Sequence, residues 1–210
     1  MEPRTTIRRA RRADARRLTR LAHAAKRHWR YPERLIRLWK PDLTVTPEHI
    51  AGEPVYCAVG GTRIIGFYAL SGTRATRELE HMWVDPRYLG CGVGRALFAH
   101  LQRRLRAMAV RRLEIASDPN AEGFYRRMGA RRVGRVASRP AGRTLPLLVL
   151  GVPRRTHPSS ARMPAATRRR TSRRHASSSR SARSSRRRAS PESASSVIAT
   201  LWSRVPQRAK

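Results

Sequence analysis

"YLGCGVGRALFAHL", residues 88–101, sets Gly90, Gly92 and Gly94 just where a helical apolar pattern begins at Ala96, Leu97 and Leu101. Glycine lets a backbone approach a ligand with no Cβ in the way, and it takes positive φ at little cost. A helix N-terminus offers unpaired N–H groups and positive potential, so a glycine loop that opens a helix suits a phosphate. Two familiar versions fail here. A dinucleotide fingerprint starting at Gly90 would need glycine where Arg95 stands, and this loop follows the fourth strand rather than the first. The P-loop pattern fails because this stretch holds no lysine. A phosphate cradle of another kind and a plain strand-to-helix turn both remain open on the loop alone.

The flanking sequence supplies the scaffold. "TIRRA" reads as a first strand, and "ADARRLTRLAHAAKRHW" as a helix with Leu18, Leu21, Ala25 and Trp29 at helical spacing. Pro32 and Pro41 bracket a short helix, "ERLIRLW". Thr46 caps "TPEHI", with Pro47 at its first helical position. "PVYCAV" (54–59) and "RIIGFYALS" (63–71) form a hairpin turning at Gly60–Gly61, and "ATRELEHMWV" (75–84) alternates as a strand. The helix predicted from Gly92 to Met108 follows, then the strand "RLEIAS" (112–117). Next comes the helix "PNAEGFYRRMG", stopped by Gly129, and two closing strands, "ARRVGRVAS" and "RTLPLLVLG". This order predicts an α/β fold (an α+β mixed sheet) over residues 1–151.

Residues 152–210 differ in kind. Between Gly151 and Lys210 there are 16 Arg or Lys and one acid, Glu192, with serine nearly as common as arginine. Such a tract cannot bury enough apolar surface to offset its ordering entropy and is expected to be disordered. Three readings stay open for it: a polyanion-binding tail, a solvated tail with no role, or a GC-rich frame translated out of register. The 210-residue chain carries a net charge of +34, almost all from arginine, which attracts nucleic acid and other polyanions without any specific site. Cys57 and Cys91 are too few for a disulfide scaffold or a zinc site, and no metal is expected. No segment has the length of a membrane span, and "MEPRTTIRRARRADA" lacks the apolar stretch of a secretory signal. A cytoplasmic monomer or homodimer is the expectation.

"LEHMWVDPRYLGCGVGRALFAHL" followed by "LEIASDPNAEGFYRRMGA" resembles the GCN5-related N-acetyltransferase (GNAT) family. The family's strand ending in V-x-P, its [QR]-x-x-G-x-[GA] loop and its downstream A-x-x-x-Y-x-x-x-G are met by "WVDP", by "LGCGVG", and by Ala121, Tyr125 and Gly129. The likeness spans about residues 5–151. Leu89 departs from it, standing where the family has Gln or Arg, and Arg87 is the nearest polar substitute.

The resemblance implies the acyl-CoA N-acyltransferase fold, a mostly antiparallel sheet splayed between strands four and five, and acetyl-CoA as cosubstrate for transfer to an amine. It assigns Met82, Trp83 and Val84 to the cofactor arm, with an N–H of Met82 or Val84 polarising the thioester carbonyl; such donors are worth roughly 3 kcal/mol in comparable sites. It assigns the N–H groups of Leu89, Gly90, Cys91, Gly92, Val93, Gly94 and Arg95 to the pyrophosphate. Asn120 is a further cofactor contact, while Asp118 or Asn120 caps the last helix. Tyr125 is the acid candidate for the departing sulfur. Glu80 is the base candidate, with Glu78 and His81 behind it. Strict alternation would put Glu78, Glu80, Met82 and Val84 on one face, and His81 and Trp83 on the other. His28, Trp29 and Tyr31 fall where the family builds its acceptor pocket. A small primary amine is the first expectation for the acceptor, attacking directly in a ternary complex, and a lysine or a protein N-terminus is the second. The rival reading is a polyanion-binding protein whose acetyltransferase-like domain is inactive or regulatory.

Overall fold

The computed structural model describes residues 5–153, so the Arg/Ser-rich tail and its three readings lie outside the described residues. Seven strands form one sheet: β1 (Thr5–Arg9), β2 (Val55–Gly60), β3 (Arg63–Gly72), β4 (Thr76–Val84), β5 (Arg112–Ala116), β6 (Arg131–Ala137) and β7 (Thr144–Gly151). Their spatial order is β1-β2-β3-β4-β5-β7-β6. Five helices accompany them: α1 (Ala15–His28), α2 (Glu33–Leu38), α3 (Pro47–Gly52), α4 (Val93–Ala107) and α5 (Glu122–Arg127). All strand neighbours are antiparallel except β4 and β5. The mixed α/β sheet is therefore the expected one. The hairpin turn sits one residue later than expected: Gly60 pairs with Arg63, and Gly61 takes φ +59.

Each sheet face has its own core. On one, α4 lays Leu97, Phe98, Leu101 and Leu105 against Ile65, Tyr68, Leu70 and Leu113, all at most 1% exposed. Gly66 lets α4 sit that close, because a Cβ there would come within 3.0 Å of both Leu97 Cδ1 and the Trp83 carbonyl oxygen. On the other face, Leu18, Leu21 and Ala22 of α1 pack with Ile36 and Trp39 around α2, with Ile50 of α3, and with Cys57, Phe67 and Ala69 of the sheet. Arg16, Arg17 and Arg20 fill the outer side of α1, as an amphipathic surface helix requires. Cys57 is wholly buried, and burial pushes its thiol up to about 12, so it is a core residue.

Two irregularities in β4 make the site. Its parallel pairing with β5 covers only Thr76, Arg77 and Glu78; beyond them β4 runs on to Val84 while β5 pairs with β7. The splay implied by the resemblance is present. On the β3 side the register slips, with His81 opposite Ala69 and Leu79 opposite Leu70. Glu80 is thus the extra residue of a β-bulge, which breaks the ladder and re-aims side chains.

Candidate active site

The bulge corrects the strict alternation expected for β4. Leu79, Met82 and Val84 join the core under α4, while Trp83 packs with the α1 core. Glu80 does not share the face of Met82 and Val84; it turns toward α3, where its Oε2 lies 3.6 Å from His49 Nε2. His81 points the same way, its ring edge-on to that of His49 at 6.1 Å.

The splay opens a cavity of about 580 Å3. Its β4 wall is Glu80, Met82, Trp83 and Val84, and its α4 end is Leu89, Gly90, Gly92, Val93, Gly94 and Arg95. Asn120 and Tyr125 line the side next to α5, and His28 and Trp29 close the end of α1. Twelve of the thirteen sequence-predicted site residues therefore meet in one cavity; Cys91 does not line it.

At the α4 end the loop is shaped by Gly90 (φ +81) and Gly92 (φ +74), both left-handed, a region that L side chains rarely adopt. Gly92 caps α4 with no side-chain acceptor, and the first helical bond runs from Ala96 N–H to Gly92 O at 2.9 Å. The N–H groups of Val93, Gly94 and Arg95 are thus left for a ligand, as a helix start leaves them. Two expected N–H contacts are corrected. Leu89 N–H donates to Pro86 O and Cys91 N–H to Tyr88 O, each at 3.3 Å, because these residues close the turn that leads out of β4. Arg87 is no substitute for the missing polar residue at Leu89, since both its Nε and Nη2 are spent on the Asp85 carboxylate. Leu89 itself is 43% exposed. The free N–H groups, the helix start and the exposed Arg95 suit a pyrophosphate, so this end fits coenzyme A.

The opposite end is held by side chains. Lys26 of α1 and Asp118, between β5 and α5, form a buried ion pair at 2.5 Å, with side chains 9% and 11% exposed. The Lys26 ammonium also sits over the rings of Tyr31 and Trp39, at 4.6 and 4.5 Å. Tyr31 Oη donates to Asp118 at 3.0 Å, and Asn120 gives Asp118 both its backbone N–H and its Nδ2, each at 3.0 Å. Trp39 Nε1 donates to the Arg139 carbonyl at 2.8 Å, joining the β6–β7 hairpin to the cluster. Burial opposes the Asp118 charge, but Lys26, Asn120 and Tyr31 outweigh it and hold the carboxyl below its usual range. Asp118 is the cap of the turn before α5, and Asn120 lines the cavity with its amide committed to Asp118 and Tyr31. Tyr31 belongs to this hub rather than to the cavity wall. Lys26 and Trp39 are additions that sequence reasoning missed. One signal was available: Lys26 lies four residues after Ala22 and eight after Leu18, on the apolar stripe of α1.

Tyr125 is 7% exposed, its pKa raised above the ordinary phenol value by burial and then by the Asp118 charge, so its hydroxyl keeps its proton at neutral pH. Burial likewise raises the Glu80 carboxyl; Glu53 adds to the rise and His49 opposes it. The Glu80 side chain nonetheless keeps 35% of its surface open. His81 is pushed down to about 3 by burial, then by His49, and its Nδ1 accepts the indole N–H of Trp83 at 3.1 Å. A neutral, engaged His81 is a poorer base candidate than Glu80. Among the described residues no cluster of His, Cys, Asp or Glu could hold a metal ion, and no helix is long and apolar enough to cross a membrane.

Comparison with known proteins agrees with this geometry. The model of the acetyltransferase (GNAT) family matches residues 12–130. The chain is 28% identical over 137 residues to the peptidyl-lysine N-acetyltransferase YjaB of Escherichia coli K12, covering 56% of this chain and 88% of that protein. It superposes on a GCN5-related N-acetyltransferase from Rhodopseudomonas palustris with a TM-score of 0.61 at 20% identity, covering 72% of this chain and 96% of the other. It also superposes on the PaiA N-acetyltransferase of Thermoplasma acidophilum in complex with coenzyme A, with a TM-score of 0.57 at 16% identity, covering 70% and 98%. The chain belongs to the GNAT family of N-acetyltransferases, enzymes that use acetyl-CoA as cosubstrate and an amine as acceptor.

Proposed function

We propose that this enzyme acetylates a primary aliphatic amine by direct attack in a ternary complex, with Glu80 as the general base and Tyr125 as the general acid. The observation that carries this reading is the convergence of Glu80, Tyr125 and the start of α4, which has no side-chain cap, on one cavity at the splay. When bound, acetyl-CoA supplies the thioester carbonyl carbon that the amine attacks. The N–H groups of Gly90, Gly92, Val93, Gly94 and Arg95 hold its pyrophosphate, and the open edge of β4 at Met82, Trp83 and Val84 receives the pantetheine arm.

Glu80 takes the proton of the acceptor ammonium through a water. Its raised pKa brings its basicity nearer to neutral pH, where a base works best. Tyr125 keeps its proton at a hydroxyl beside the cavity, ready for the sulfur as the C–S bond breaks, and the second proton that the nitrogen sheds on becoming an amide restores that hydroxyl. The buried Cys57 has no part in a covalent route, and Cys91 is off the cavity wall. Trp29 and Trp83, with Glu80 between them in sequence and all three on the wall, suit a cationic amine on an apolar stem.

A small amine is the first reading for the acceptor. The E. coli relative, named a peptidyl-lysine acetyltransferase, supports a lysine side chain as the second. A thiol-release assay with acetyl-CoA against an amine library and a set of lysine peptides separates them. Turnover on free amines alone supports the first, and turnover on peptides alone supports the second. No turnover on either, with acetyl-CoA bound, refutes the catalytic assignment.

A further inference from the structure

We propose that His49 relays the substrate proton from Glu80 to solvent. The inference rests on Glu80 as the base and adds a residue from a different element.

The bulge in β4 gives Glu80 no cross-strand partner of its own and turns it toward α3. His49 is fixed there by the start of that helix, where its backbone N–H donates to Thr46 Oγ1 at 3.1 Å. Its Nε2 is buried, has no hydrogen-bond partner, and lies 3.6 Å from Glu80 Oε2. A buried polar atom without a partner is costly to keep, so it calls for a reason. A further 21% of the His49 side chain is open to solvent. The side chain thus meets the carboxylate of the cavity wall with a buried nitrogen while part of its surface is open to water. The separation is slightly long for a hydrogen bond, as catalytic contacts commonly are before substrate binds.

Other charged and titratable groups face the pair. Glu53, just after α3, is held by Arg77 at 3.3 Å. Glu78 precedes Glu80 on β4, and burial followed by Glu114 and Glu80 raises its pKa. His81 stands edge-on to His49 and stays neutral. Of these groups His49 is the one that turns an unpartnered polar atom toward Glu80.

The proton balance is simple. The acceptor ammonium loses one proton through water to Glu80, which passes it to His49 Nε2. The proton on Nδ1 then leaves to bulk water, and a neutral ring remains. Only N–H and O–H bonds change.

The test is a set of kcat pH profiles on the full chain, with acetyl-CoA and the best acceptor from the library. His49→Gln is expected to lower kcat on the order of 10-fold, less than the ~10²–10⁴-fold of a general base itself. The KM for acetyl-CoA stays within about 2-fold, since His49 lies away from the α4 end. The acid limb moves to higher pH, because the ring that lowers the Glu80 pKa is gone. Added imidazole restores part of the kcat of His49→Ala. Both variants keep the Thr46 cap, which bonds the backbone, and melting curves check that they fold. An unchanged His49→Gln profile alongside an inactive Glu80→Gln overturns the relay and spares the base. A fully active Glu80→Gln overturns both.

Discussion

At the α4 end of the cavity the groups offered to a ligand are the backbone N–H of Gly90, Gly92, Val93, Gly94 and Arg95, shaped by two left-handed glycines. The α1 and α3 end is instead built by side chains drawn from five separate parts of the chain: Lys26, Tyr31 with Trp39, His49, Glu80 and Asp118. A backbone site tolerates most changes of side chain and fails when φ is restricted. A side-chain site fails when one partner leaves another buried without its charge. The two ends should therefore break under different substitutions and in different assays.

The largest effect on stability should come from the hub. Lys26→Met leaves Asp118 buried with no cation and should cost about 3–5 kcal/mol in urea unfolding. The double variant Lys26→Met, Asp118→Asn should recover much of that, since no lone charge remains. Acid titration gives the sign independently. The Asp118 carboxyl is held below its unfolded value, so its contribution is present above about pH 4 and is lost as pH falls through the folded value. Wild type should lose more stability on acidification than the double variant.

Tyr125→Phe comes next. It removes one hydroxyl and little packing, and kcat should fall by ~10²-fold with acetyl-CoA affinity nearly unchanged. At the other end, Gly92→Val forces a β-branched residue to φ +74. The strain, about 1–2 kcal/mol, should weaken acetyl-CoA binding by roughly 10-fold in titration calorimetry. The smallest effect is expected at Leu89. Leu89→Gln restores a polar side chain at an exposed position and should move stability by less than about 0.5 kcal/mol.

The same contrast explains what could be read in advance. The α4 end was legible because its information is local: glycines spaced two apart, a strand ending at Asp85–Pro86, and an apolar stripe starting at Ala96 all lie within a short run. The parallel β4–β5 splay followed from the family likeness carried by that same run. The other end is nonlocal. Lys26 and Asp118 are 92 residues apart, and Trp39 and Arg139 are 100 apart. Periodicity says nothing about which of many arginines and lysines meets which acid. The bulge at Glu80 was also invisible, because "ATRELEHMWV" alternates well enough to pass for a regular strand. That one inserted residue moves Glu80 away from Met82 and Val84 and toward His49, which no spacing rule would have paired with it.

The most direct test of this division is a crossed measurement: acetyl-CoA affinity and single-turnover acetyl transfer, both taken on Glu80→Gln and on Gly92→Val. The prediction is that Glu80→Gln binds acetyl-CoA as wild type does and loses transfer by ~10²–10⁴-fold. Gly92→Val should bind weakly yet transfer at near wild-type rate once saturated. Loss of binding in Glu80→Gln, or loss of saturated transfer in Gly92→Val, would contradict a cavity whose cofactor end and chemical end are built separately.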